Sequence, residues 1–138
     1  MELGNTSNVK WFAGIGRRYD QEAKEVATMA LTRDSKKTVV ARVERDPAFA
    51  KALLYEAATL FLSGEPETAR LILRDLVNAT LGFEQLAKLT DMPSKSLHRM
   101  LSSKGNPSMD NLAAIFGALR KRLKIGIRVQ AVELRRVA

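Results

Sequence analysis

The chain has 138 residues, of which 46% are apolar, 6% are aromatic and none is cysteine, and its net charge is +8 at pH 7. This length fits one domain, and a core poor in aromatic residues favours helices packed on helices. The lack of cysteine excludes disulfides, thiolate metal sites and cysteine chemistry. No apolar run approaches the roughly 20 residues of a membrane span, and no secretory signal is visible. We therefore expect a cytoplasmic protein without a membrane partner.

The positive charge predicts a polyanionic partner, such as DNA, RNA or an acidic protein surface. Simple solubility is the alternative explanation. The charge is balanced over residues 1–30 and is concentrated at the other end. The basic residues from position 120 onward, opposed only by Glu133, are Arg120, Lys121, Arg122, Lys124, Arg128, Arg135 and Arg136. They either contact phosphates or form a solvated face.

Residues 1–34 show only a weak helical pattern of apolar residues, and they are predicted to be a flexible or weakly helical extension. Residues 35–132 are predicted to form a single helical DNA-binding domain, and residues 133–138 a basic C-terminal tail. A short helix starts at Ser35, with Val39, Val40 and Val43 on one side.

A helical hairpin is predicted next, over residues 47–80. Asp46 and Pro47 read as an N-cap followed by proline at the first helical position. The first helix ends at Gly64, because glycine tolerates the left-handed cap conformation. Glu65 and Pro66 open the second helix, whose buried stripe is Ala69, Ile72, Leu73, Leu76 and Val77. So short a link makes the two helices antiparallel.

Residues 83–103 carry the most specific spacing, which predicts a helix-turn-helix. Ala87 is small, as needed where helices cross closely, and Asp91 follows at the turn, where a left-handed backbone is required. Met92 is expected to plug the turn into the core. A second helix then begins at Pro93 or Ser94 and directs Leu97, Met100 and Leu101 inward.

The outward side of that second helix is suited to DNA. The candidate base readers are Ser94, Lys95, His98 and Arg99. Arginine can donate two parallel hydrogen bonds to guanine, and a recognition helix presents its first turns to the major groove. The candidate contacts to the DNA backbone are Gln85, Lys88, Ser96, Lys104 and Asn106.

Plainer roles are open for several of these residues. Ser94 could be an N-cap, a role compatible with DNA contact. Lys88 and Lys104 could be solvated only. His98 is the single histidine, with no second metal ligand or catalytic partner in view, and Met92 and Met100 suit the core. No metal or cofactor is expected.

The C-terminal part of the chain gives two further elements. The stretch KGNPS at 104–108 is a turn by composition, and Ser108 caps a last helix along which Leu112, Ile115 and Leu119 share a side. IGIRV at 125–129 alternates and predicts one short strand. A lone strand must pair, and a second copy across a dimer axis is the simplest partner.

Several blocks, in order, resemble one family. They are DPAFAKALLYEA, SGEPETARLILRDLV and FEQLAKLTDMPSKSLHRMLSSKGNPSMDNLAAIFGAL, within 46–123. This part of the chain is similar to the HigA-like, addiction-module antidote branch of the lambda-repressor-like helix-turn-helix proteins. The stretch GNPSMDNL, 105–112, resembles that branch most closely. Two departures are Phe83, where many relatives carry a phosphate-binding polar residue, and Asp91 in place of the usual glycine.

The resemblance and the residue pattern together imply an all-α fold: a five-helix lambda-repressor-like helix-turn-helix domain with an N-terminal helical hairpin and one short C-terminal strand. The resemblance implies a homodimer that represses its own operon at a palindromic operator on double-stranded DNA. It also implies that the protein neutralises a RelE-like ribonuclease toxin. The alternative is a protein-interaction module that masks a toxin, through the hairpin, with weak or no DNA binding. An enzyme is not expected, because no glycine-rich phosphate loop or metal-ligand pattern is present.

Overall fold

The computed structural model describes residues 35–134, and in that part of the chain all regular structure is helical. The six helices are α1 (Ser35–Arg45), α2 (Pro47–Leu62), α3 (Pro66–Ala79), α4 (Phe83–Thr90), α5 (Ser94–Met100) and α6 (Met109–Leu123). The prediction of an all-α fold is confirmed for these residues. The predicted domain, 35–132, contains six helices and not five, because α1 also lies within it.

Proline, glycine and serine set the bounds of these helices. Pro47 and Pro66 stand in the first turns of α2 and α3, where a missing N–H removes no helical hydrogen bond. Gly64, with φ +86°, ends α2 as predicted, and the Glu65 amide donates to the Leu60 carbonyl. Ser108 caps α6, as predicted, by accepting a hydrogen bond from the Asn111 amide at 3.1 Å.

Helices α2 and α3 form the centre of the fold. The link 63–65 is short, so the two helices run antiparallel, and α1 packs across both of them. Helix α6 contacts α2 and α4, with Phe61 and Phe116 meeting edge to face at a centroid distance of 6.0 Å. A single apolar cluster includes buried residues from all six helices.

Two acidic side chains lie inside this core, which the apolar pattern did not predict. Glu56 on α2 and Asp75 on α3 are buried. The Arg74 Nε lies 3.7 Å from Asp75 Oδ1, so the carboxylate has a cation at the edge of the core. Burying an ionised group without a partner is costly, and a nearby guanidinium offsets part of that cost.

The segment after α6 has no regular secondary structure within the described residues. Ile125 and Ile127 pack against the core, and the residues between and after them face solvent. The predicted alternation over 125–129 is therefore visible at these two isoleucines, while the predicted strand itself is not formed here. The predicted extension, 1–34, and residues 135–138 of the predicted tail lie outside the described residues. Among the helices in 35–134, none has the length and hydropathy needed to cross a membrane.

Candidate nucleic-acid interface

The candidate interface is built on α4, α5 and the turn between them. Gly82, with φ +77°, lets the chain reverse after α3, and Phe83 begins α4. Phe83 and Leu86 are buried on one side of α4, while Gln85 and Lys88 are exposed on the other. Helix α4 thus provides a packed base and leaves both candidate DNA-backbone residues accessible.

The turn 91–93 has the backbone that the sequence predicts. Asp91 has φ 54° and ψ 39°, which is the left-handed region, and the Met92 amide donates to the Ala87 carbonyl at 3.2 Å. Met92 is half-buried against the core, also as predicted. Asp91 is one of only two non-glycine residues with positive φ in 35–134.

Helix α5 starts at Ser94, after Pro93 in an extended N-cap conformation. No side-chain hydrogen bond caps this helix, so the alternative role of Ser94 as its N-cap is wrong. Proline occupies the cap because its fixed φ favours an extended residue leading into a helix. Ser94 and Ser96 are both half-buried.

The side chains of α5 divide into two sides. Leu97 and, just after the helix, Leu101 are fully buried, and Met100 is half-buried against the core, as predicted. The exposed residues of the helix are Lys95, His98 and Arg99. Positions i, i+3 and i+4 lie on one side of a helix, so the two cations and the imidazole form a single outward stripe.

Arg70, on α3, holds the chain segment that follows α5. Its Nε donates to the Ser102 carbonyl at 3.0 Å and its Nη2 donates to the Ser103 carbonyl at 2.6 Å. These carbonyls lie at the negative end of α5, where a guanidinium is favourably placed. Sequence analysis missed this contact, because no local pattern links residues so far apart in the chain.

Gly105 gives the same segment its close packing. A Cβ at this position would overlap the carbonyl of Met100 and come too close to that of Arg99, while the Gly105 amide donates to the Ser102 carbonyl at 3.0 Å. The loop therefore runs directly over the end of α5. Lys104 and Asn106, the predicted backbone contacts on either side of this glycine, are exposed.

Phe83 and His98 form a contact that sequence analysis also missed. Their rings are stacked, with centroids 3.8 Å apart and an angle of 18° between the planes. Phe83 is buried, whereas His98 is exposed. The stack joins the first residue of α4 to the outward stripe of α5.

A strongly basic segment follows from the end of α6. Lys124, with φ 57°, ends the helix, and the Ile125 amide donates to the Arg120 carbonyl at 3.1 Å. The exposed cations here are Lys121, Arg122, Lys124 and Arg128. Cations at a helix C-terminus are favourable in themselves, so this charge has a structural reason, and the phosphate contact stays a prediction.

No cluster of metal-ligating side chains is present within residues 35–134. Comparisons of the chain with protein-family models, curated proteins and solved structures find no match.

Proposed function

We propose that the protein is a sequence-specific DNA-binding transcriptional regulator of the cytoplasm. In this proposal α4 and α5 act as a helix-turn-helix, with α5 in the major groove, and the protein is the antitoxin and autorepressor of a toxin–antitoxin operon. The outward stripe of Lys95, His98 and Arg99 carries the proposal, because Leu97 and Leu101 anchor the opposite side of the helix.

The chemistry of the stripe suits base edges. A B-DNA major groove is about 12 Å wide and admits one α-helix. Arg99 can donate two hydrogen bonds to guanine O6 and N7, and Lys95 can reach guanine or a phosphate. Exposed Gln85, Lys88, Lys104 and Asn106 flank the stripe as backbone contacts.

The distribution of charge supports a polyanion on this side of the molecule. Residues 81–134 contain nine basic residues and four acidic ones, the acidic ones being Glu84, Asp91, Asp110 and Glu133. Residues 46–80, the hairpin with its cap, contain three basic and five acidic residues. Glu56 and Asp75 of the hairpin are buried, and α1, which packs on both hairpin helices, has four basic residues and one acidic residue. The positive excess that attracts a polyanion therefore lies on α1 and on the part of the chain from α4 onward.

The decisive experiment measures binding to the DNA upstream of the protein's own gene, at several salt concentrations and with excess competitor DNA. Arg99→Ala should cost on the order of 1–3 kcal/mol and relax preference at one base position. Arg45→Ala removes the same charge from an exposed site on α1 and should cost much less. Lys95→Ala should lower the salt slope by about 1 if it meets a phosphate. Equal binding by the Arg99 and Arg45 variants would exclude Arg99 as a reader.

A palindromic operator requires two copies, and we propose that the segment 125–134 joins them. Val129, Val132 and Leu134 are 68%, 73% and 91% exposed, which is unfavourable for three apolar side chains so close together. Antiparallel pairing with a second copy would satisfy the extended backbone and bring Val132 and Leu134, which share one face of an extended segment, against apolar side chains of the partner copy. The two α5 helices would then meet half-sites about 34 Å apart.

The dimer is tested by the double variant Val129→Lys, Val132→Lys. Sedimentation should show a monomer for this variant and a dimer for the parent protein. Leu62→Lys changes a residue that is similarly exposed, in the hairpin, and should leave the dimer intact. If the double variant is still a dimer, the dimer interface does not include segment 125–134.

The exposed acidic pair at the start of α3 favours a second function, the masking of a basic protein. A ribonuclease toxin must bind RNA, so a basic toxin surface is expected. Glu65 and Glu67 are exposed where α3 begins. If they face a toxin, Glu65→Lys, Glu67→Lys should weaken its co-purification from cells that also express the neighbouring gene, while Glu133→Lys should not. If the parent protein, the Glu65→Lys, Glu67→Lys variant and the Glu133→Lys variant capture the toxin equally, the acidic pair on α3 does not bind it.

A further inference from the structure

The stack of Phe83 and His98 restrains the one imidazole of the candidate interface. A histidine on an open helix surface samples a broad range of χ2 angles. Here one face of the ring lies against a phenylalanine that is itself held in the core, with 3.8 Å between the centroids. The ring plane of His98 is thereby set by a residue of α4.

One ring of the stack is buried and the other is exposed, as expected if the buried ring orients the exposed one. Phe83 is 6% exposed and cannot itself reach a ligand, whereas His98 belongs to the outward stripe with Lys95 and Arg99. Because stacking occupies a face of the imidazole, the polar edge of the ring is left for hydrogen bonding. A preoriented donor loses less conformational freedom on binding than a mobile one.

We propose that the stacked His98 imidazole selects a purine at one position of each half-site, by donating a ring N–H to purine N7, and that Phe83 is the positioning residue that sets the ring for this contact. This inference rests on the proposed DNA-binding function. It assigns Phe83 a part in base specificity, which the sequence alone did not indicate.

The choice of purine follows from the hydrogen-bonding groups. In the major groove, adenine and guanine both present N7 as an acceptor, whereas cytosine presents an amino donor and thymine a methyl group and O4. Neutral histidine always carries one ring N–H, and protonated histidine carries two. A donor is therefore present in either protonation state, and N7 is the acceptor that both purines share. Thymine O4 also accepts, and the 7-deaza substitution below distinguishes N7 from it.

A structural alternative makes a different prediction. If His98 only covers Phe83 from solvent, removing either ring changes stability but does not change which base is preferred. Base preference at a single atom is therefore the readout that separates positioning from packing.

The experiment begins with selection of binding sequences from a random pool of duplex DNA by the full-length protein. The selected site is then synthesised with one purine at a time replaced by its 7-deaza analogue, in which N7 becomes C–H. We expect one position per half-site at which the protein loses about tenfold in affinity, the size of one good base contact. His98→Ala should bind the unmodified site about tenfold more weakly and show no further loss at that position.

The Phe83 variants test the positioning role. Phe83→Leu keeps a buried apolar side chain but removes the aromatic face, and it should reduce the 7-deaza effect at that position to about threefold or less. Phe83→Tyr restores the face and should restore the effect. Affinity for random duplex DNA and the salt slope should be the same in the parent protein, Phe83→Leu and Phe83→Tyr. Leu62→Ala, at an exposed position on the hairpin, should leave the 7-deaza profile unchanged.

The outcomes are distinguishable. If selection yields no preferred sequence, the proposed function is wrong, and this inference fails with it. If a preferred sequence emerges but His98→Ala remains sensitive to every 7-deaza substitution, the purine contact alone is overturned. If Phe83→Leu keeps the full effect, His98 reads the base without help from Phe83. Should Phe83→Leu not fold, the His98→Ala profile still decides the purine contact, and the Phe83→Tyr profile decides whether an aromatic face at position 83 supports it.

Discussion

The hairpin of α2 and α3 and the pair α4 and α5 divide their residues differently between core and solvent. Six of the 16 residues of α2 and seven of the 14 residues of α3 are buried, against two of eight in α4 and one of seven in α5. The hairpin therefore supplies most of the apolar burial, and the short pair has most of its positions available for contacts outside the molecule. A helix of seven residues such as α5 can be this short because its neighbours hold it in place.

The largest expected effect comes from the hairpin side of this comparison. Leu54 on α2 is fully buried, so Leu54→Ala should lower the free energy of unfolding by roughly 2–5 kcal/mol. For Leu97→Ala on α5, the loss of unfolding free energy should be nearer 2 kcal/mol than 5 kcal/mol. Helix α5 packs mainly against α4, so the residues around Leu97 can relax into the space that the substitution leaves. Chemical denaturation measures both.

Leu62→Ala is the matched control, since Leu62 is 62% exposed and its truncation should change stability by less than about 0.5 kcal/mol. A greater loss at Leu97 than at Leu54 would reverse the comparison and make the short pair the more tightly packed region.

A second test uses the same substitution at two glycines. Gly105→Ala would place a methyl group on the carbonyl of Met100 and should cost about 1–3 kcal/mol, because backbone at the end of α5 must shift. Gly117→Ala lies within α6 with nothing in the way of a Cβ and should stabilise by about 0.5–1 kcal/mol. Thermal melts that change in the same direction for both variants would contradict the close packing at Gly105.

Arg70 is a polar connection between the two regions, and its loss should have a smaller effect. Arg70→Ala removes two hydrogen bonds, leaving the Ser102 carbonyl with the Gly105 amide as its donor and the Ser103 carbonyl without the guanidinium, and should cost about 1–2 kcal/mol. Amide hydrogen exchange should rise in 99–105 more than in α2. Arg70→Lys keeps the charge but cannot make both hydrogen bonds, so an intermediate value is expected. Uniform exchange along the chain would show that Arg70 does not hold this segment specifically.

The smallest effect is expected at the turn. Asp91→Gly and Asp91→Ala both remove the carboxylate, so their difference isolates the backbone. Because φ is 54° here, the glycine variant should be about 0.5–1 kcal/mol more stable than the alanine variant. Equal stability would mean that the turn relaxes out of the left-handed region when the side chain changes.

Local signals explain what the sequence could predict. A few neighbouring residues with strong backbone or burial preferences are enough to predict each of these features. They are the starts of α2 and α6, the left-handed conformation of Gly64 and Asp91, and the inward direction of Leu97. The stripe of Lys95, His98 and Arg99 follows from the same spacing, since it is the complement of the inward residues. Its exposure is confirmed, whereas its binding to DNA stays a prediction.

What the sequence did not predict depends on contacts between distant segments. Arg70 reaches Ser102 and Ser103 across more than 30 residues, and the Phe83 ring meets His98 from another helix. Asp75 was not expected in the core, because an apolar stripe does not show that a helix is covered on more than one side. The predicted strand at 125–129 also depends on a distant contact, since alternating residues do not identify the segment with which a strand would pair.

The two hydrogen bonds from Arg70 have a consequence for module exchange. A foreign segment could be grafted in place of α4 and α5, or these helices moved to another protein, with crossover points placed just outside 83–103. Any chimaera with a junction between positions 71 and 101 separates the guanidinium from the carbonyls that it holds. A transplant that carries α3 along with α4 and α5, through Gly105, keeps donor and acceptors together and preserves the conformation of the loop that follows α5.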